Sequence, residues 1–273
     1  MKLLIDADSL IYKAGCSNET REYLVQHKDT GQVVHSCQYK AEAVAFIGED
    51  TEEFEAVLTK TAGELFISLG RASTYIEEML DSIPLNYKNF QLYIGGEGNF
   101  RHELYPEYKA TRDPMGKPIH EQEIRNYLVK KWKAEIVDGE EADDRVSYLC
   151  CADPSNSCIV GIDKDLQGTP GLHWNYDKKG EVQDISLESA NEFFWTQMLT
   201  GDTSDNIPCL KGVGPKTAKG VIESCTPDML ADEVASMYKE HGHPPEYFMC
   251  MGNLLYLRRK PNQEWTPEVL CEL

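Results

Sequence analysis

Lys2-Leu3-Leu4-Ile5-Asp6-Ala7-Asp8 opens on an apolar run and closes on two carboxylates. Such a run reads as a short buried strand. Asp8 then precedes Ser9-Leu10-Ile11-Tyr12, where a helix can begin and Asp8 can cap it. Two runs further along repeat the strand pattern. Phe90–Ile94 is one, and Cys158–Ile162, followed by Asp163, is the other. Helical spacing lies between them, including Glu121–Lys133 and Glu141–Cys150. Strands alternating with helices predict an α/β fold with a mostly parallel sheet.

Working outward, Arg21–Tyr39 predicts a hairpin, with Asp29-Thr30-Gly31 turning between Tyr23-Leu24-Val25 and Gln32-Val33-Val34. From Thr51 to about Asp81, Phe54, Val57, Leu58, Leu65, Phe66, Leu69, Ile76 and Leu80 mostly follow helical spacing, with Gly63 and Gly70 permitting breaks. After Asp184 the pattern changes, and Ser186 opens a helix signature with no convincing strand beyond it. The expected organisation is an α/β domain over 1–185 and a helical domain over 186–273.

Composition narrows the function. With 273 residues and 41% apolar content the chain can pack a substantial core, which excludes wholesale disorder. No stretch approaches eighteen consecutive apolar residues, so no membrane span is expected. The N-terminus is too briefly apolar for a signal peptide. Nine cysteines, with no CxxC pair, predict reduced thiols in a cytoplasmic setting. Net charge is −19, from 27 Lys and Arg against 46 Asp and Glu. The cations are nonetheless clustered. Residues 99–133 carry eight Lys or Arg against five acids, and 211–220 carry three lysines and no acid. Positive islands in an acidic chain suggest a polyanion gripped at specific places.

The acids are clustered too. Asp6 and Asp8 follow the first strand, and Asp163 and Asp165 follow the third in DKD. Glu141, Asp143 and Asp144 open a helix in EADD, and Asp202 and Asp205 lie in GDTSDN. Each pair alone could cap a helix or fill a turn. Together, at the carboxyl ends of parallel strands, they mark a functional centre. Two carboxylates about 4 Å apart repel by roughly 4 kcal/mol at an effective dielectric of 20. Hard divalent ions, Mg²⁺ or Mn²⁺, relieve that repulsion, and two of them suit phosphodiester hydrolysis.

Two basic segments complement the acids. FRHELYPEYKATR interleaves Arg101, Tyr105, Tyr108, Lys109 and Arg112, groups that grip phosphates and stack on bases, or else form a solvated helix face. In GVGPKTAKG, Gly212 and Gly214 permit a tight turn before a helix starting near Pro215. Its exposed N–H groups, with Lys216 and Lys219, suit phosphate binding without sequence readout.

FRHELYPEYKATR, EADD, DKDLQ, GDTSDNIP and GVGPKTA together resemble, in this order, the motifs of the 5′-nuclease superfamily. That group includes the exonuclease domain of bacterial DNA polymerase I, tailed-phage exonucleases and flap endonucleases. The resemblance runs from Leu3 to about Ile222, and more loosely to Arg259. It implies a PIN-like α/β domain with a helical C-terminal part containing a helix-hairpin-helix variant. It implies a 5′–3′ exonuclease or flap endonuclease, and the extra hairpin looks like a stand-alone phage enzyme with replication proteins as partners. Asp6, Glu141, Asp143, Asp144, Asp163, Asp165, Asp202 and Asp205 fall on its metal-ligand positions. Lys109 and Arg112 match its scissile-phosphate contacts, and Tyr108 an aromatic that stacks on substrate. Gly212, Val213, Gly214, Lys216 and Thr217 match the hairpin that holds duplex DNA, usually with K⁺.

The chain departs from that pattern where the family carries an Asp after the second strand, since Gly95 stands nearest that place. Asp8 and Glu97 are the candidates to supply the charge. Asp8 lies two positions past Asp6, on the same side in extended geometry and roughly 7 Å along the strand, and is expected as a metal ligand or beside one. Two rival readings remain. A haloacid-dehalogenase-like phosphatase would use Asp6 and Asp8 but leaves EADD, DKD and the hairpin unexplained. A DNA-binding relative that has lost catalysis would be marked by Gly95.

Overall fold

A computed structural model describes residues 1–112 and 116–268. Strand β1 (Lys2–Asp6) is central in a six-stranded sheet, parallel to β5 (Asn89–Gly95) on one side and β7 (Ser157–Val160) on the other. The order is β6-β5-β1-β7-β8-β9, with β6 (Glu135–Val137), β8 (Gly171–Trp174) and β9 (Gln183–Ile185). Only the β8–β9 pairing is antiparallel. Leu3, Leu4 and Ile5 are buried on both faces of β1, each stabilising the sheet by about 1.5–3 kcal/mol. The chain leaves β1 for β5 on one side and reaches β7 on the other. The carboxyl end of β1 is therefore a topological switch point, where open α/β sheets bind ligands.

The chain forms two compact units. The first comprises Met1–Ser9, Glu78–Arg112 and Leu128–Leu273, and contains the whole six-stranded sheet. It also holds α4 (Phe100–Leu104), α6 (Ala142–Ala152), α7 (Leu187–Thr200), α8 (Pro215–Ser224), α9 (Pro227–Glu240) and α10 (Pro245–Leu255). Ser186 caps α7 as its sequence implies, its Oγ accepting from the Ser189 N–H at 3.0 Å. Helices α7 to α10 close over a core that includes Phe194, Trp195, Met198, Phe248 and Trp265. Gly252 in α10 is needed there, because a Cβ would come within 2.0 Å of the Trp265 ring.

The second unit comprises Leu10–Glu77 and Asp113–Tyr127. Its sheet, in the order β3-β2-β4, is antiparallel and joins β2 (Glu19–His27), β3 (Val33–Cys37) and β4 (Phe54–Ala62). Gly31, at φ 68°, makes the expected turn between β2 and β3. Helix α2 (Lys40–Ile47) packs Ala43 and Ile47 against Val25. The chain passes between units within α1 (Asp8–Cys16), α3 (Leu65–Ser82) and α5 (Glu121–Trp132).

Some expectations are corrected. The stretch 51–81 is not one helical region, since its first part is β4 and only Leu65–Ser82 is helical. Val57, Thr59 and Thr61 are β-branched at alternate positions, opposite Leu24, Glu22 and Thr20 of β2. That ladder overrides an apolar spacing that also fits a helix. Beyond β9 the described residues are helical or irregular, and residues on both sides of 185 belong to the first unit. No helix among the described residues is long and apolar enough to cross a membrane.

Candidate active site

Four element ends in the first unit bring the acids together. Asp6 ends β1, and Asp163 and Asp165 follow β7, the latter starting a single 3-10 turn. Glu141 is the N-cap of α6 with Asp143 in its first turn, and Asp202 and Asp205 lie in the loop after α7. One cleft is lined by Glu141, Asp143, Asp163, Asp165, Asp202 and Asp205, together with Lys109 and Arg112.

The acids differ in what neutralises them. Burial, then the negative charges of Asp8 and Asp163, pushes the Asp6 carboxyl up to about 8, against the hydrogen bond it makes with Asp143. Burial and the nearby Asp6 and Asp163 charges likewise raise Asp143. Asp165 is pushed up to about 7 by burial and by Asp163 and Asp202. Glu141 goes the other way. Burial opposes its ionisation, but Lys109 and Arg101 hold it below the usual carboxylate range. Asp202 is also held low against its burial, by Lys164 at 2.7 Å and by Ser204.

Lys109 adopts a left-handed backbone at φ 57°, and its N–H donates to the Asp205 carbonyl at 2.8 Å. That turn carries its ammonium onto Glu141 and within 3.6 Å of Asp205. Arg112 donates to Asp205 Oδ1 at 2.6 Å, with its side chain half exposed to the cleft.

Asp8 is neither a bystander nor a simple cap. Both of its carboxylate oxygens accept from the Gly95 N–H, at 3.1 and 3.0 Å, so it is docked on the end of β5. A Cβ at residue 95 would lie 2.9 Å from Asp8 Oδ2. The Asp8 carboxylate thus fills the space that any side chain at 95 would need. The other candidate, Glu97, is exposed in a loop.

Other expected site residues are tied up by protein partners, although Arg101 and Tyr108 also line the cleft. Asp144 is fully buried and points away from the cleft. It takes two bonds from the Arg101 guanidinium at 2.5 and 3.0 Å, and further bonds from the N–H groups of Arg258 and Glu141. Its oxygens are thus committed to protein donors, and Asp144 is not among the residues that line the cleft. Arg101, expected at DNA, is 1% exposed and donates also to the Leu254 and Tyr256 carbonyls. Tyr108, expected to stack on substrate, is buried and donates through its hydroxyl to Asp205 at 2.9 Å and Glu141 at 3.1 Å. It positions two acids from behind. Tyr105 packs against the helical core.

The GVGPK segment forms a turn that leads into a helix. Gly212 has φ 82°, Gly214 is the N-cap of α8, and Pro215 takes its first position. Lys216, Thr217 and Lys219 are exposed, whereas Val213 is buried and anchors the loop to the core. Sequence reasoning missed Lys164 and Gln197. Gln197 donates to Asp165 at 2.7 Å and to Asp202 at 3.4 Å. Its signal was a lone amide inside the apolar run of α7.

The donor chemistry fits a hard divalent cation. The cleft donors are carboxylate oxygens, and among the described residues neither buried Asp6 nor half-buried Asp143 forms an ion pair with a Lys or Arg. Among the described residues no three His, Cys, Asp or Glu side chains stand close enough together to hold a metal ion.

No protein-family model matches the chain. Flap endonuclease Xni of Shewanella baltica is 27% identical over 146 residues, covering 49% of this chain and 56% of that protein. DNA polymerase I of Treponema pallidum is 31% identical over 139 residues, covering 44% of this chain and 14% of that protein. The chain thus matches just over half the length of the first relative. Among solved structures, a T5 5′-exonuclease variant superposes with TM-score 0.53 at 14% identity, covering 69% of this chain and 81% of that one. A T5 flap endonuclease, described as a pseudo-enzyme-product complex with DNA and metal ions, gives 0.51 at 17% identity, covering 69% and 80%. The chain shares the fold of the T5 5′-exonuclease and, over about half its length, sequence similarity with flap endonuclease Xni.

Proposed function

We propose that this chain, built on the 5′-nuclease fold, is a divalent-metal-dependent 5′–3′ exonuclease and structure-specific flap endonuclease acting on DNA. The observation that carries the reading is the cleft itself, with six carboxylates at three element ends and Lys109 and Arg112 among them. Two Mg²⁺ or Mn²⁺ ions, when bound, would activate water and stabilise the leaving oxygen. Asp143, Asp163 and Asp165 would hold them, with Asp6 and Asp8 behind and with Glu141, Asp202 and Asp205 at the rim. Lys109 and Arg112 would orient the scissile phosphate and offset the charge that develops on it.

The helical tract after residue 185 would grip duplex DNA through the α8 N-terminus, Lys216 and Lys219. A K⁺ ion at that hairpin rests on the family resemblance, as do a role in phage DNA replication and replication proteins as partners. The free thiols support a cytoplasmic setting.

The test is to offer 5′-end-labelled duplex and flap DNA, and a small phosphate monoester, in Mg²⁺ and in EDTA. Release of labelled 5′ fragments only in Mg²⁺ is expected. Monoester hydrolysis without DNA cleavage would overturn the reading in favour of a phosphatase. DNA binding without cleavage would mark a relative that has lost catalysis.

A further inference from the structure

The cleft's acids divide by the cations that face them. Glu141 is paired with Lys109, Asp205 with Arg112 and Lys109, and Asp202 with Lys164. Among the described residues, no Lys or Arg forms an ion pair within 4 Å of Asp6, Asp143, Asp163 or Asp165, although the Lys164 ammonium attracts Asp165 and Asp163 from further off. Lys164 is placed differently from the other cations. It stands between Asp163 and Asp165 in the chain, its side chain is 59% exposed, and it reaches Asp202 in the loop after α7. The second oxygen of Asp202 is engaged elsewhere. Oδ1 accepts from the Ser204 N–H at 2.8 Å and from its hydroxyl at 2.5 Å. A cation taking Asp202 as a ligand must therefore compete for Oδ2, the oxygen that Lys164 holds at 2.7 Å.

Resting on the nuclease reading, we propose that Lys164 is an internal counter-ion that competes with a divalent metal for Asp202 and sets the affinity of the weaker of two metal positions. The cleft acids in no ion pair, Asp143, Asp163 and Asp165, then take the first ion, with Asp6 behind them. The Asp202 side fills only when the ammonium withdraws. A lysine suits this work, because its flexible stem and strongly hydrated head can move into solvent without leaving a buried charge unpaired. An arriving DNA phosphate would attract the same ammonium away from Asp202. Metal and polyanion would then strengthen each other's binding, and linkage makes that coupling reciprocal.

Calorimetric titration of Mn²⁺ into the full chain tests this without reference to turnover. Wild type should bind in a tighter and a weaker event. Lys164→Gln should tighten the weaker event about tenfold, the order expected when a half-exposed positive charge is removed beside a cation. Lys164→Arg, which keeps the charge, should leave it close to wild type. In an Asp202→Asn background, Lys164→Gln should have no effect. A weaker event that Lys164→Gln leaves unchanged or loosens would overturn the proposal, as would an effect that persists in the Asp202→Asn background. Either outcome leaves the nuclease reading standing. Failure of the wild type to bind Mn²⁺ at all would remove both.

Discussion

Asp143 and Asp144 are neighbours in the first turn of α6, and the roughly 100° between successive helix residues sends them to different work. Asp143 faces Asp6 and Asp163, where its charge is repelled. Asp144 turns into a buried pocket and is neutralised by Arg101. Asp144→Asn should therefore destabilise the fold by about 3 kcal/mol, because it takes from a buried guanidinium its nearest counter-charge and leaves only Glu141 at 3.8 Å. Asp143→Asn should raise the stability of the metal-free protein by removing repulsion. Urea unfolding in EDTA checks both, and an Asp144→Asn chain as stable as wild type would contradict the anchoring role. The sequence could not separate the two residues. Arg101, the partner that decides the matter, lies 43 residues before Asp144 and reads locally as part of a basic, aromatic, DNA-facing segment. Asp8 was more legible, because its spacing from Asp6 already put it beside the site. Its partner, the Gly95 N–H, could be identified only once β1 and β5 were paired.

At the scale of elements, legibility followed locality. β1, which ends in Asp6, β7, which Asp163 follows three residues on, and the helix that starts at Gly-Pro, α8, carry their signals within a few residues. β6, β8 and β9 are three or four residues long and exist through pairing with distant strands, which local pattern cannot report. β4 misled for a related reason, since the ladder to β2 outweighs an apolar spacing that fits a helix equally well. The α8 hairpin is the element whose function is most separable from the cleft. Lys216→Ala should weaken binding to duplex DNA of any sequence and lower the salt slope by about one unit. Affinity measured across a salt series decides this, and an unchanged slope would reduce the loop to a structural turn.

For the whole molecule, the raised carboxyls set the pH dependence of the metal-free fold. Asp6 keeps its proton to about pH 8 and Asp165 to about 7, against an ordinary value of 3.8. Through that window the native state holds protons the unfolded chain has released, so stability falls as pH rises. Glu141 and Asp202, held low by their cations, act in the opposite sense. Their contribution is complete above ordinary carboxylate values and is lost as pH falls through their lower native values. Scanning calorimetry in EDTA should therefore give a melting temperature that declines from about pH 5 to about pH 8. Asp6→Asn should flatten the decline, and Mg²⁺ should suppress it by binding the ionised cluster. A melting temperature that rises through this window would contradict the assignment. The central claim is that the cleft acids hold metal for DNA cleavage while the basic groups hold the DNA. It is tested most directly by measuring single-turnover cleavage and binding of one 5′-labelled flap substrate with wild type and Asp143→Asn in Mg²⁺. The mutant should bind within about twofold of wild type and cleave at least about a thousandfold more slowly, the scale of charge stabilisation that metal-assisted catalysis supplies. Cleavage by Asp143→Asn at a rate near that of wild type would contradict the account.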